Sequence, residues 1–227
     1  GKRDYGVGEF ELRDLIARWF FMASTTGRYT GNPETTMEQD LARLRDVKDG
    51  KEFLAIMDRI VNETFTEDYW NITLPNELER SSTRSPALFA YYAALNLLDA
   101  HVLFSKVKVA ELMDPASVAN KAPMETHHLF PKGYLKRIGI SDQKAINQIG
   151  NAALLEWMDN IEITDIAPSE YYPRYKARMN DEELRKMLYW HALPDEWYSM
   201  SYDAFLSERR IRMSQVIKDG FSKLRAP

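Results

Sequence analysis

Leu12, Leu15, Ile16, Trp19 and Phe20 stand at i, i+3, i+4, i+7 and i+8, one face of a helix, and the same spacing recurs along the chain. Phe53, Ile56, Met57, Ile60 and Val61 mark another such face. Pro86 suits the first turn of a helix through Leu88, Tyr91, Tyr92, Leu95 and Leu98. A last helix, over roughly Tyr202 to Leu224, turns Leu206, Met213, Val216, Ile217, Phe221 and Leu224 inward, with Arg209, Arg212 and Lys223 along one side. Two glycines and a proline in "TTGRYTGNPET" interrupt the first helix. Thr35 or Thr36 then caps a helix through "MEQDLARLRDV", Glu38 and Asp40 favour its positive end, and Gly50 stops it. "NITLPNELERSSTRSP" reads as a polar connector, and "PSEYYPRYKARM" and "DEELRKMLYW" as two further helices.

The texture changes after Ala100. "HVLFSKVKVAELMDP" has no long helical period, and "SVANKAPMETHH" is loop-like. "KGYLKRIG" makes about two helical turns ended by Gly139, and "NAALLE" (151–156) is a short apolar run of strand length. The expected fold is mainly α: a helical subdomain over 1–100, then a subdomain over 101–227 that carries one small β-containing insert.

With 227 residues, 44% apolar and 28% charged, the chain is large enough to bury about 70% of its unfolded surface. It contains no cysteine, which excludes disulfides, thiol chemistry and Cys-ligated zinc and suits a cytoplasmic location. No apolar run reaches the ~18 residues of a membrane helix. "GKRDYGVGEFELRDL" has no signal-peptide core and no initiator methionine, so a piece of a longer protein is expected. The net charge of −4 argues against a globally basic nucleic-acid binder and leaves that role to a local patch.

Chemistry concentrates in "METHHLFPKGYL", where two of the four histidines stand side by side. His127-His128, Pro131, Asn151 and Asn160 form an ordered series: Asn151 follows His128 by 23 residues, and Asn160 follows Asn151 by nine. A strand ending in the histidine pair, a returning strand "NAALLE" and a helix near Asp159-Asn160 would bring Asn160 back to His127. Neighbouring side chains of a regular strand face opposite sides, so the pair belongs at a strand end, where Pro131 keeps Phe130 extended and breaks the ladder. Isolated His101 and His191 are assigned no part in a site; His191 reads as packing at a helix end.

"HHLFP … IGNAALL … DN" resembles the signature of HNH, or ββα-metal, nucleases. The stretch "METHHLFPKGYLKRIGISDQKAINQIGNAALLEWMDNIEITDIAPSEYY" is similar to one branch, the C-terminal nuclease half of GmrSD-type modification-dependent restriction proteins. The likeness continues into "RWFFMASTTGRYTGNPETTMEQDL" and "FLSERRIRMSQVIKDGFSKL". It implies a helical scaffold with an embedded ββα-metal hairpin-helix. His128 would be the general base, and His127 and Asn160 the metal ligands. Asn151 would be the middle residue of the catalytic signature, which holds the metal loop through backbone hydrogen bonds. Many relatives carry Asp where this chain has His127. Since imidazole suits Mn, Ni or Zn better than it suits hard Mg, which prefers oxygen, activity is expected with a transition metal as well as, or above, Mg.

The resemblance implies a metal-dependent DNA endonuclease leaving 5′-phosphate and 3′-hydroxyl ends, the effector of an anti-phage system. A ParB-like nucleotide-binding domain would precede it, and a second copy of the chain is a further candidate partner. Lys132, Lys136, Arg137 and Lys144 form a basic cluster beside the signature, suited to phosphate contact, and Arg209, Arg210 and Arg212 form another. Two other readings stand beside this one: an HNH-type nuclease acting on RNA, and a catalytically silent DNA-binding or interaction module.

Overall fold

Pro33, Pro86 and Pro168 each occupy the first turn of a helix, where the missing N–H has no intrahelical acceptor to lose. The computed structural model describes residues 6–113 and 125–224, without the side chains of residues 125, 126, 157, 158 and 160. The helices before residue 114 are α1 (Glu9–Thr26), α2 (Pro33–Arg43), α3 (Gly50–Thr64), α4 (Leu74–Glu77), α5 (Pro86–Leu97) and α6 (Val109–Met113). Then come β1 (Glu125–His128), α7 (Lys132–Arg137), α8 (Gln143–Ile146), β2 (Ala152–Leu155) and α9 (Trp157–Ile163). The chain closes with α10 (Pro168–Lys176), α11 (Asp181–Trp190) and α12 (Tyr202–Lys223). The fold is therefore mainly helical, with one small antiparallel hairpin, β1 on β2, among the described residues.

Several local expectations are corrected. Asn32 precedes α2 and Pro33 opens it, so Thr35 and Thr36 lie inside the helix, where the Thr36 hydroxyl donates back to the Asn32 carbonyl. Gly50 begins α3 rather than ending α2, because the Asp49 side chain accepts the Glu52 N–H and caps the new helix. "NITLPNELER" is no simple connector: it continues a π-helical turn over Tyr69–Thr73 into α4, and Leu74 and Leu78, one turn apart, are fully buried. On α1 the buried residues are Leu15, Phe21, Met22 and Thr25, while Ile16 and Phe20 are 57% and 71% exposed. The expected "SVANKAPMETHH" loop lies largely outside the described residues.

Among the described residues, buried apolar side chains form two clusters. One joins Met22, Val61, Leu74 and Leu95 to Met213 and Ile217 from the later part of α12. The other gathers Phe130, Leu135, Ile163, Tyr171 and Trp197 around Phe205 from its first turn. α12 thus runs through both cores and ties the N-terminal helices to the hairpin. Gly220 permits this, since an added Cβ there would stand 2.6 Å from the Ala94 Cα of α5.

Candidate active site

The hairpin register sets His127 opposite Ala153 and His128 opposite Ala152, so the histidines are the last two residues of β1. Alternation along the strand separates them. His127 is buried, with its ring edge-on to Tyr171 at 6.4 Å, whereas His128 is half-buried. The Tyr171 hydroxyl donates to the Leu129 carbonyl at 2.7 Å and pins the residue after the pair.

His128 Nε2 lies 3.1 Å from Asn147 Oδ1. A carbonyl oxygen only accepts, so Nε2 carries the proton and Nδ1 keeps its lone pair. Burial pushes the His128 pKa down, the Asn147 hydrogen bond pulls it up, and the nearby Lys132 ammonium pushes it down again; the net direction is down. The ring is therefore neutral at neutral pH, the form a proton acceptor requires.

Asn151 is wholly buried and directs its amide inward. Oδ1 accepts the Phe130 N–H at 2.9 Å, while Nδ2 donates to the carbonyls of Phe130 (3.1 Å) and Ile146 (3.0 Å). Its own carbonyl accepts the Leu129 N–H at 2.9 Å. Asn151 thus laces the chain leaving β1 to the turn entering β2.

α9 packs against β1, so strand, strand and helix follow in the order the resemblance implies. Asn160 belongs to α9, but its side chain lies outside the described residues. Its neighbour Asp159 is half-buried, its pKa raised first by burial and then by Glu156. Among the described residues no three His, Asp or Glu side chains converge to hold a metal ion. The donor set the resemblance supplies is smaller, the His127 imidazole and the Asn160 amide. Of that pair only the His127 imidazole is described, and it is buried beside Tyr171.

Lys132, Lys136, Arg137 and Lys144 are all exposed on α7 and α8, the two short helices that follow β1. Arg137 donates to the Asp165 carbonyl at 2.6 Å and lies over the Tyr134 ring, while Lys132 is close enough to depress the His128 pKa. The second basic cluster dissolves. Arg209 is fully buried, Arg210 donates to Gln148 at 2.8 Å, and Arg212 pairs with Glu208 on its own helix. Arg209 stands three residues after Leu206 and four before Met213, so its place in the inward stripe of α12 was a signal available in the sequence. Asn147, by contrast, carried no such signal, because loop amides have no periodicity. His191 does end a helix, as read: it is the C-cap of α11, and its Nε2 donates to the His101 carbonyl at 3.0 Å.

A cleft of about 600 Å³ lies elsewhere, between the 98–106 segment and α11, with His101, Phe104, Met187 and Trp190 in its wall. It contains none of the signature residues. No helix among the described residues is long and apolar enough to cross a membrane.

Over 181 residues the chain is 22% identical to the uncharacterized protein MJ0686 of Methanocaldococcus jannaschii. The match takes in 77% of this chain and 28% of that protein, so the chain spans little more than a quarter of its relative. No family model matches, and no solved structure does either.

Proposed function

We propose that this chain is a metal-dependent endonuclease of the HNH type, which hydrolyses DNA phosphodiesters with His128 as general base. The supporting observation is the arrangement of one small element. A neutral imidazole stands at the end of β1, held by Asn147, in a hairpin followed by a helix packed on β1 and locked by the Asn151 amide.

Hydrolysis needs a water deprotonated as it attacks phosphorus, and Nδ1 of His128 is the free lone pair that takes the proton. The Asn147 amide fixes the tautomer and the ring plane. His127 and Asn160 would hold a divalent ion, which when bound stabilises the charge growing on the phosphoryl and leaving oxygens. Lys132, Lys136, Arg137 and Lys144 contact phosphates and so position the strand without reading its bases. Within this reading the chain is the effector of a modification-dependent restriction system. Recognition of the modified DNA falls to a separate nucleotide-binding region.

The test is supercoiled plasmid incubated with the purified chain in Mg, Mn, Ni or Zn, beside His128→Ala. Nicking that needs a metal and vanishes in the variant is expected. Equal nicking by both proteins would remove His128 from the chemistry. Salt-sensitive binding without cleavage in every metal would leave a DNA-binding module, and cleavage confined to RNA would change the substrate.

A further inference from the structure

We infer that Arg209 is a positioning residue for the candidate site: from inside α12 it grips the backbone on both sides of Asn151 and so sets the strand on which His128 is mounted. The guanidinium is wholly buried. Nη1 donates to the Gly150 carbonyl at 2.7 Å and the Ala152 carbonyl at 2.9 Å, the two residues that bracket Asn151. Ala152 is the register partner of His128. The third grip, from Nε to the His191 carbonyl at 3.1 Å, anchors the fork on the C-cap of α11, where the helix dipole is negative.

Among the described residues no carboxylate forms an ion pair with Arg209; three backbone carbonyls take Nε and Nη1, and the buried Nη2 has no hydrogen-bond partner. Such burial is an inefficient source of stability, because apolar residues of similar volume commonly do as well or better. A rigid planar fork offers a fixed geometry for several acceptors at once, which lysine's single flexible ammonium lacks. Its immediate neighbours have nothing comparable: Arg210 reaches a side chain, Gln148, and Arg212 stays at the surface.

The consequence for cleavage rests on the nuclease reading above; the consequence for the backbone does not. The experiment compares Arg209→Lys and Arg209→Met with the wild-type chain by amide hydrogen exchange and, in the metal that supports nicking, by kinetics. Both variants are expected to fold. The Phe130 and Asn151 amides should lose protection about ten- to hundredfold while α5 amides keep theirs. Displacement on this scale should lower kcat about as much with KM nearly unchanged. Protection falling equally in α5 and the hairpin, with full kcat in the folded fraction, would overturn the proposal and leave Arg209 a contributor to global stability. Loss of folding in both variants would overturn it equally. If the wild-type chain cuts nothing, the nuclease reading fails by itself, and the exchange pattern still decides the role of Arg209.

Discussion

The hairpin and the N-terminal helices, both packed on apolar cores, differ in what they bury beyond them and what they leave outside. Around β1 and β2, polar groups lie inside: Asn151 and Arg209 are wholly buried, and backbone groups partner the Asn151 amide and Nε and Nη1 of Arg209. On α1, apolar groups lie outside: Ile16 and Phe20 border a groove of about 460 Å³ shared with Phe53 and Met57 of α3. An inward polar network admits one geometry, since every displaced partner leaves a buried group unpaired. An outward apolar stripe imposes no such demand. The difference teaches that in this chain precision and hydrophobicity are separate resources, and that the precise part surrounds the histidines.

The largest effect should come from breaking the inward network at its centre. Asn151→Ala removes three hydrogen bonds and strands the Phe130 N–H and carbonyl at a residue 2% exposed, while the Ile146 carbonyl keeps only the Tyr202 hydroxyl at 3.4 Å. At about 1–3 kcal/mol for each buried group left unsatisfied, a loss of about 3–5 kcal/mol is expected. The urea midpoint measures it. A loss below about 1 kcal/mol would mean that water replaces the amide and that the lock is loose.

Acid should weaken the same region through His191. Its Nε2 is bound to the His101 carbonyl, Arg209 is the charged group beside it, and burial holds its pKa down at about 3, against 6.5 ordinarily. Between those values the unfolded chain binds the proton and the folded chain does not. Stability is therefore fully present above pH 6.5 and is lost as the pH falls towards 3, by up to about 1.4 kcal/mol per unit. Urea midpoints at pH 7, 6 and 5 lie above the range of ordinary carboxylates. His191→Leu should start lower and show a flatter slope. An unchanged slope would assign the acid sensitivity to another group.

A glycine tests the junction between the two regions. Gly220→Ala would set a methyl group 2.6 Å from the Ala94 backbone, so α12 or α5 must shift. The expected cost is about 1–3 kcal/mol, read as a drop in thermal midpoint. It should fall on both cores, because α12 passes through both.

Periodicity made α5, α12 and the strand β2 legible, because burial enforces a repeat of 3.6 or a short apolar run. It misplaced details that depend on one competing bond. Gly50 looked like a stop until the Asp49 cap made it a start, and the Thr caps of α2 gave way to Pro33. The pattern His127-His128, Asn151 identified the turn that holds the candidate base. What it did not reveal was Asn147, the partner from the loop; the burial of Arg209 was written in the spacing from Leu206 to Met213, but its acceptors were not. Long-range polar contacts leave no period, so the hydrogen-bond partners around the candidate site were the part least visible.

The smallest effect sharpens the comparison from the other side. Leu15 and Ile16 are neighbours on α1, and the helical spacing counted both as core. Only Leu15 is buried, at 1% exposure. Leu15→Ala should cost about 2–5 kcal/mol by leaving a cavity. Ile16→Ser and Phe20→Ser, at exposed positions, should stay within about 0.5 kcal/mol. Chemical denaturation of the three variants side by side checks this. A cost near that of Leu15→Ala for either serine variant would show that the outward stripe is covered in solution, and the contrast with the hairpin would then narrow to the polar network alone.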